Sequence, residues 1–181
     1  MSKQAFVKIG ASVTGALVAS IAAYEGFSNK PIPVIENTTD RQWCAGITGI
    51  PTKAYYTDEE CAELVAGHLF RDTRFLSQCL PMDKLPERIQ FAARHMAYNT
   101  GPLTICNSSM ARIWKRGSYT PDSCLMILRY TFVAGKDCRL TGKRCPGIVK
   151  RRDYEHGVCT GDIDWRLQKW TDPPVTVSVG N

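Results

Sequence analysis

Eight cysteines in 181 residues constrain this chain more than any other feature. The number is even, no two stand as C-x-x-C, and no histidine lies at finger-like spacing beside them. That pattern argues against a zinc ribbon and predicts four disulfides, which need an oxidising compartment. Spacing alone leaves the pairing open; the closest pair, Cys138 and Cys145, would clip a loop rich in glycine and lysine. At this length one domain with a real core is the default. Hydrophobic content of 44% and charged content of 22% argue against wholesale disorder.

A disulfide-bonded chain must leave the cytoplasm, and residues 9–24, IGASVTGALVASIAAY, have the layout of an export signal. All sixteen are uncharged, and Lys3 and Lys8 precede them. The stretch is rich in Gly, Ala, Ser and Thr rather than Leu. As a helix it would span about 24 Å, short of a hydrocarbon core of about 30 Å, so it is a poor permanent anchor. No clear A-x-A cleavage site follows. The alternatives are a signal peptide cut near Ala22 or Ala23, a small-residue packing helix in the core, and an uncleaved weak anchor able to leave the bilayer.

The rest of the chain divides by pattern. Residues 25–57 alternate β-branched residues with turn formers, as suits a small β-meander or loop region. Thr57-x-x-Glu60 is a capping box, and Cys61, Leu64, Val65, His68 and Leu69 follow at helical spacing, predicting a helix over 58–71. Pro86 opens a second helix, apolar nearly all round, that ends at Asn99-Thr100-Gly101-Pro102; such a helix belongs in the centre of a domain. Further helices are predicted over 104–116, 121–132 and 147–159. Residues 171–181 form a tail without a helical stripe. The fold class is α+β, with a small β-containing lobe and a larger helical lobe, and a domain over 25–170 behind the N-terminal segment 1–24.

Charge adds one address. Between Lys136 and Arg152 stand seven basic residues and one acid, an excess equal to the net +6 of the whole chain. An anionic polymer surface or a solvated face both fit. Nucleic acid is disfavoured as a partner, because aromatic residues are not interleaved with the charges.

Carboxylates are the strongest chemical candidates. Glycoside hydrolysis uses two across a cleft, one donating a proton to the leaving oxygen and the other activating water or stabilising positive charge. Glu25, flanked by apolar residues, suits the acid. Asp40 suits the partner, with Glu36 as competitor. A cysteine nucleophile beside His68, His95 or His156 conflicts with the even cysteine count. The scattered histidines offer no metal site, so no metal and no cofactor is expected.

Together these residues resemble a known family. The order is the Gly/Ala-rich segment, Tyr24-Glu25-Gly26-Phe27, Asp40-Arg41, Cys44-Ala45-Gly46-Ile47-Thr48-Gly49 and Thr57-Asp58-Glu59-Glu60-Cys61. Downstream come FAARHMAYNTG at 91–101, Ser108-Ser109 with Trp114, and Pro146-Gly147-Ile148-Val149-Lys150-Arg151-Arg152-x-x-Glu155. Over residues 9–160 the chain resembles phage endolysins of the phage-type lysozyme (muramidase) family, specifically the signal-arrest-release subtype.

The resemblance implies a lysozyme-like fold and cleavage of the β-1,4 bond between N-acetylmuramic acid and N-acetylglucosamine, with peptidoglycan as substrate. It carries Glu25 over as general acid. The family's second carboxylate falls nine residues later, where this chain has Val34. A longer loop places Asp40 there; an ungapped count places Glu36 there. Gln42 or Thr48 stands in for the threonine that follows in the family. A monomer is expected, tethered and inactive at the host inner membrane through residues 9–24, then released to the periplasm.

Overall fold

A computed structural model describes residues 13–33, 41–133, 135–140 and 145–167. It divides into two units: the described residues up to Arg71 with Arg166 and Leu167, and Asp72–Trp165. The predicted tail and residues 1–12 lie outside the described residues, as do Glu36 and Asp40.

In the first unit, α1 (Val13–Glu25) is the end of the apolar segment. Ala16, Leu17, Val18, Ala19, Ser20, Ile21 and Ala22 are all buried. Seven consecutive residues cover nearly two turns, so this stretch has no solvent face. The Ser20 hydroxyl donates to the Leu17 carbonyl (3.2 Å), which satisfies the one buried polar side chain. No helix among the described residues is long and apolar enough to cross a membrane.

Gly26, at φ +75°, turns the chain out of α1. Strands β1 (Ser28–Pro33) and β2 (Arg41–Cys44) then pair antiparallel, with Ser28 opposite Cys44 and Ile32 opposite Gln42 across an irregularity in register. The predicted capping box is formed: Glu60 N–H donates to Thr57 Oγ1 (3.2 Å), and Thr57 N–H donates to Glu60 Oε2 (2.9 Å). It starts α2 (Asp58–Cys79), eight residues longer than the 58–71 expected. The buried stripe of Val65, Leu69, Asp72 and Leu76 keeps helical spacing beyond residue 71, and no Gly or Pro interrupts it there. Trp43, Cys44, Tyr56 and Cys61 form the small core of this unit, cross-linked by the Cys44–Cys61 disulfide.

The second unit is mostly helical. Helix α3 (Glu87–Thr100) buries Ile89, Phe91, Ala92, Ala93, His95, Met96 and Ala97, as its all-round apolar pattern predicts. Leu76, Leu85, Met96, Ile105, Trp114 and Ile127 belong to the core around it. The helix expected over 104–116 is two: α4 (Pro102–Cys106) and α5 (Ser109–Lys115). Ser108 makes the break, because its hydroxyl donates to the Ile105 carbonyl (2.6 Å) and accepts from Ala111 N–H (2.9 Å), capping the new helix. The expected helix over 121–132 is α6 (Pro121–Leu125), a 3₁₀ turn Met126–Arg129, and then strand β3 (Phe132–Val133) paired with β4 (Lys136–Asp137). Aromatic and β-branched residues favour the strand. Helix α7 (Pro146–Thr160) ends at Gly161 in the left-handed conformation (φ +94°). Disulfides Cys79–Cys106, Cys124–Cys159 and Cys138–Cys145 bring the total to the expected four, the last clipping the basic loop.

Candidate functional site

Glu25 is the last residue of α1 and is half-buried. It shares its surroundings with a tight loop built on β2. Trp43 and Ile47 exchange both backbone hydrogen bonds at 2.9 Å. Closing that loop over three residues forces positive φ at Cys44 (55°) and Gly46 (79°). Glycine takes this conformation without strain; the cysteine is held there and also carries the disulfide.

Gly46 is where the candidate groups meet. A Cβ added at Gly46 would lie 3.7 Å from Gln42 Oε1 and 3.8 Å from Glu25 Oε2. A helix end, a strand and a turn thus bring a carboxylate and a side-chain amide to one backbone position that has no side chain of its own. The carboxyl can give up or take a proton, and the amide can hold a water by hydrogen bond. Of the two residues proposed in place of the family threonine, Gln42 reaches the same Gly46 position as Glu25, whereas Thr48 lies past the loop and is exposed. Asp40 precedes Arg41, the first residue of β2, and lies with Glu36 outside the described residues.

The phage lysozyme family profile matches residues 22–155. The chain belongs to the phage lysozyme family. Solved structures agree on the fold. The active form of the P1 phage endolysin Lyz is similar at TM-score 0.69 and 18% identity, over 91% of this chain and 97% of that one. The muramidase domain of SpmX from Asticaccaulis excentricus is similar at 0.67 and 16% identity, over 82% and 97%. A P22 lysozyme is similar at 0.63 and 17% identity, over 78% and 93%. No curated protein sequence matches. The lysozyme-like α+β fold is therefore established, and membership supports lysozyme-like hydrolysis of the cell wall.

In this phage lysozyme two of the basic residues of 136–152 do not face solvent. Arg151 and Arg152 are buried. Arg152 Nη1 pairs with Glu155 Oε2 (2.8 Å), and its Nη2 donates to Asn99 Oδ1 (2.7 Å). The other carboxylate oxygen of Glu155 meets His95 Nδ1 (2.7 Å), and Phe91 stacks on the His95 ring. Arg139 pairs with Asp153. The helical period of 147–159 turns part of the charge inward, a separation that a count along the sequence misses.

All eight cysteines are in disulfides, which excludes a cysteine nucleophile. Among the described residues no group of three or more His, Cys, Asp or Glu could hold a metal. Sequence reasoning also missed a groove in the first unit, about 510 Å³ in volume, between the loop after β2 and one face of α2. Its signal was present in the helical spacing of Glu60, Glu63, Leu64, Gly67, His68 and Arg71.

Proposed function

We propose that this chain is an endolysin that hydrolyses the β-1,4 bond between N-acetylmuramic acid and N-acetylglucosamine in peptidoglycan and so lyses the host cell. The observation that carries this is the meeting of Glu25 and Gln42 at Gly46, within a phage lysozyme. The Glu25 carboxyl donates its proton to the glycosidic oxygen as the bond to the leaving sugar breaks. Asp40, two positions before Gln42 in the chain, is the second carboxylate; it activates water or stabilises the oxocarbenium-like charge. The Gln42 amide holds that water by hydrogen bond. The missing side chain at Gly46 leaves room for the sugar beside the acid.

Reducing-sugar release from purified peptidoglycan tests this reading. Glu25→Gln should lower the rate about a thousandfold, within the range for loss of a general acid. Asp40→Asn should lower it similarly while Glu36→Gln does not; the reverse result moves the role to Glu36. Full activity in Glu25→Gln would remove the mechanism. Product mass separates hydrolysis from a transglycosylase, which leaves an anhydro sugar. Wall binding without cleavage by the wild-type chain would instead mark a catalytically impaired wall-binding protein.

The same reading includes control by the membrane. Residues 9–24 hold the enzyme inactive at the inner membrane, and escape from the bilayer lets α1 fold. Two facts support this. The uncharged stretch ends one residue before Glu25. In the folded protein seven consecutive residues of that stretch are buried, so lipid and core compete for the same helix. Mass spectrometry of the released protein checks it: the full chain is expected, and a chain beginning near Ala23 would overturn it.

A further inference from the structure

The β3–β4 hairpin of the second unit has a surface that hydrolysis does not use. Cys138 N–H donates to the Thr131 carbonyl (2.9 Å), and both residues are buried, so one side of the hairpin packs against the protein. Side chains alternate along a strand, which turns Phe132, the next residue, to the outer side, where it is 60% exposed. Leu140 is 86% exposed, more than any other large apolar residue among the described residues. The turn that carries it is pinned. Leu140 N–H donates to the Asp137 carbonyl (3.2 Å), Arg139 N–H donates to Asp137 Oδ1 (3.0 Å), and Cys138 is tied to Cys145. Ordering this turn costs chain entropy, yet it holds the leucine in water; exposed apolar side chains of this kind mark contact sites. Cations surround them. Arg129 and Lys136 are exposed, three residues before Phe132 and four after it. Arg139, beside Leu140, pairs with Asp153 on α7, and exposed Lys150 stands one helical turn before Asp153 on the same face. Arg129, Lys136 and Lys150 make no ion pair among the described residues. The carboxylates of this surface are engaged: Asp137 accepts from Thr131 Oγ1 (2.7 Å) and from Arg139 N–H, and Asp153 meets Arg139. The cations thus outnumber the acids, and the acids are already neutralised by hydrogen bonds or by a guanidinium.

We propose that this hairpin docks the folded protein on the anionic phospholipid surface of a bilayer. Phe132 and Leu140 enter the headgroup layer, and Arg129, Lys136 and Lys150 face lipid phosphates. The combination of apolar tips and a cationic rim selects this occupant. An anionic glycan would satisfy the cations but offers no hydrocarbon for a protruding leucine. The contact is separate from the tether of residues 9–24. In the folded protein residues 16–22 are buried in the core, so the hairpin is the part that can hold the protein to lipid once α1 has formed. With two apolar side chains the attachment is reversible. It does not require the muramidase reading, since docking needs no hydrolysis.

Co-sedimentation of the full oxidised chain with vesicles tests this. Vesicles of phosphatidylethanolamine and phosphatidylglycerol should retain the protein at low salt and release it at about 0.5 M salt, where charges are screened within a few ångströms. Vesicles of phosphatidylcholine alone should retain much less. Leu140→Ser should weaken partitioning to the anionic vesicles about tenfold, as expected for withdrawing one leucine side chain from the interface. Lys136→Gln should weaken it about fivefold, the effect of one charge near an anionic surface. Both positions are on the surface, so each variant should keep the wild-type Tm and the wild-type rate of reducing-sugar release from purified peptidoglycan. No vesicle binding, equal binding by the wild type and both variants, or equal binding to neutral vesicles overturns the proposal; the last two results would place any lipid contact in the N-terminal segment. Binding to purified peptidoglycan that falls in Lys136→Gln while vesicle binding does not would assign the surface to the wall. Self-association without vesicles that Leu140→Ser abolishes, with vesicle binding intact, would assign it to a second copy of the chain. Either result overturns docking on lipid.

Discussion

The two units differ in how they handle polar groups. The second buries an ionisable cluster in which Arg152, Glu155 and His95 pair with one another and Arg152 with Asn99, and it carries three disulfides. The first has one disulfide, a four-residue cluster around Trp43, the buried run of α1, and a two-stranded sheet whose first strand is largely exposed. Among the described residues each unit holds four residues at positive φ, and the one that is not glycine, Cys44, is in the first, with Gly26, Gly46 and Gly49. Backbone in unusual conformations concentrates where chemistry needs a special geometry. Here Glu25, the proposed acid, lies beside tight turns in the unit with a single disulfide, and the other three disulfides belong to the second unit.

This contrast can be broken most decisively at Glu155. Glu155→Gln removes the charge that balances Arg152 and leaves a buried cation, which costs about 3–5 kcal/mol. Urea denaturation should show that loss, a large fraction of the ~5–15 kcal/mol typical of folded domains. Peptidoglycan hydrolysis per folded molecule should change little. A loss below about 1 kcal/mol would mean that the buried cluster does not hold the second unit together.

Next in size is the disulfide of the first unit. Cys44 and Cys61 are 17 residues apart, and the loop-entropy relation gives about 3 kcal/mol for such a closure. In Cys44→Ser/Cys61→Ser the turn that carries Gly46 also loses its tie to α2, so activity should fall together with stability. Breaking Cys124–Cys159 should lower stability but spare activity per folded molecule. Equal activity losses in the two variants would erase the division between a stabilising unit and a catalytic one.

Gly46→Ala is a smaller and more local change. Placing a side chain at φ +79° costs about 1–2 kcal/mol. The methyl itself fits at van der Waals contact, 3.7–3.8 Å from Gln42 and Glu25. It occupies the space between them, so hydrolysis should drop more than the melting shift accounts for. Rate and Tm measured on one preparation separate the two effects.

The same contrast explains what could be seen in the sequence. Helix α3 was legible because a mainly apolar segment with a proline start has one place to go. The capping box fixed the start of α2 through two local hydrogen bonds. The Cys138–Cys145 clip was legible because its loop is short. Less was legible wherever one local bond competes with a periodic pattern: Ser108 broke a predicted helix, and the region after Leu125 became a 3₁₀ turn and a strand. Charge was misplaced for a related reason, since a count from Lys136 to Arg152 does not show that Arg152 turns inward to Glu155. Glu25 was proposed from its motif. Its encounter with Gln42 at Gly46 depends on a bulged strand pair and a three-residue turn, which no spacing rule specifies.

The smallest effect concerns His156, near the C-terminal end of α7. Partial burial lowers its pKa from the ordinary 6.5. Asp162 and Asp153 pull it upward and Arg139 pushes it further down, and burial prevails over the carboxylates. The negative helix end also favours a cation there, again without reversing the direction. A group whose folded pKa is depressed binds its proton more readily when unfolded. Its contribution is therefore intact above pH 6.5 and is lost as pH falls through the folded value. Thermal melts from pH 7.5 to pH 5 should show Tm falling on acidification, and His156→Asn should flatten that slope. The difference between the two profiles is the quantity that counts. If the profiles run parallel, protonation of His156 is no harder in the folded second unit than in the unfolded chain.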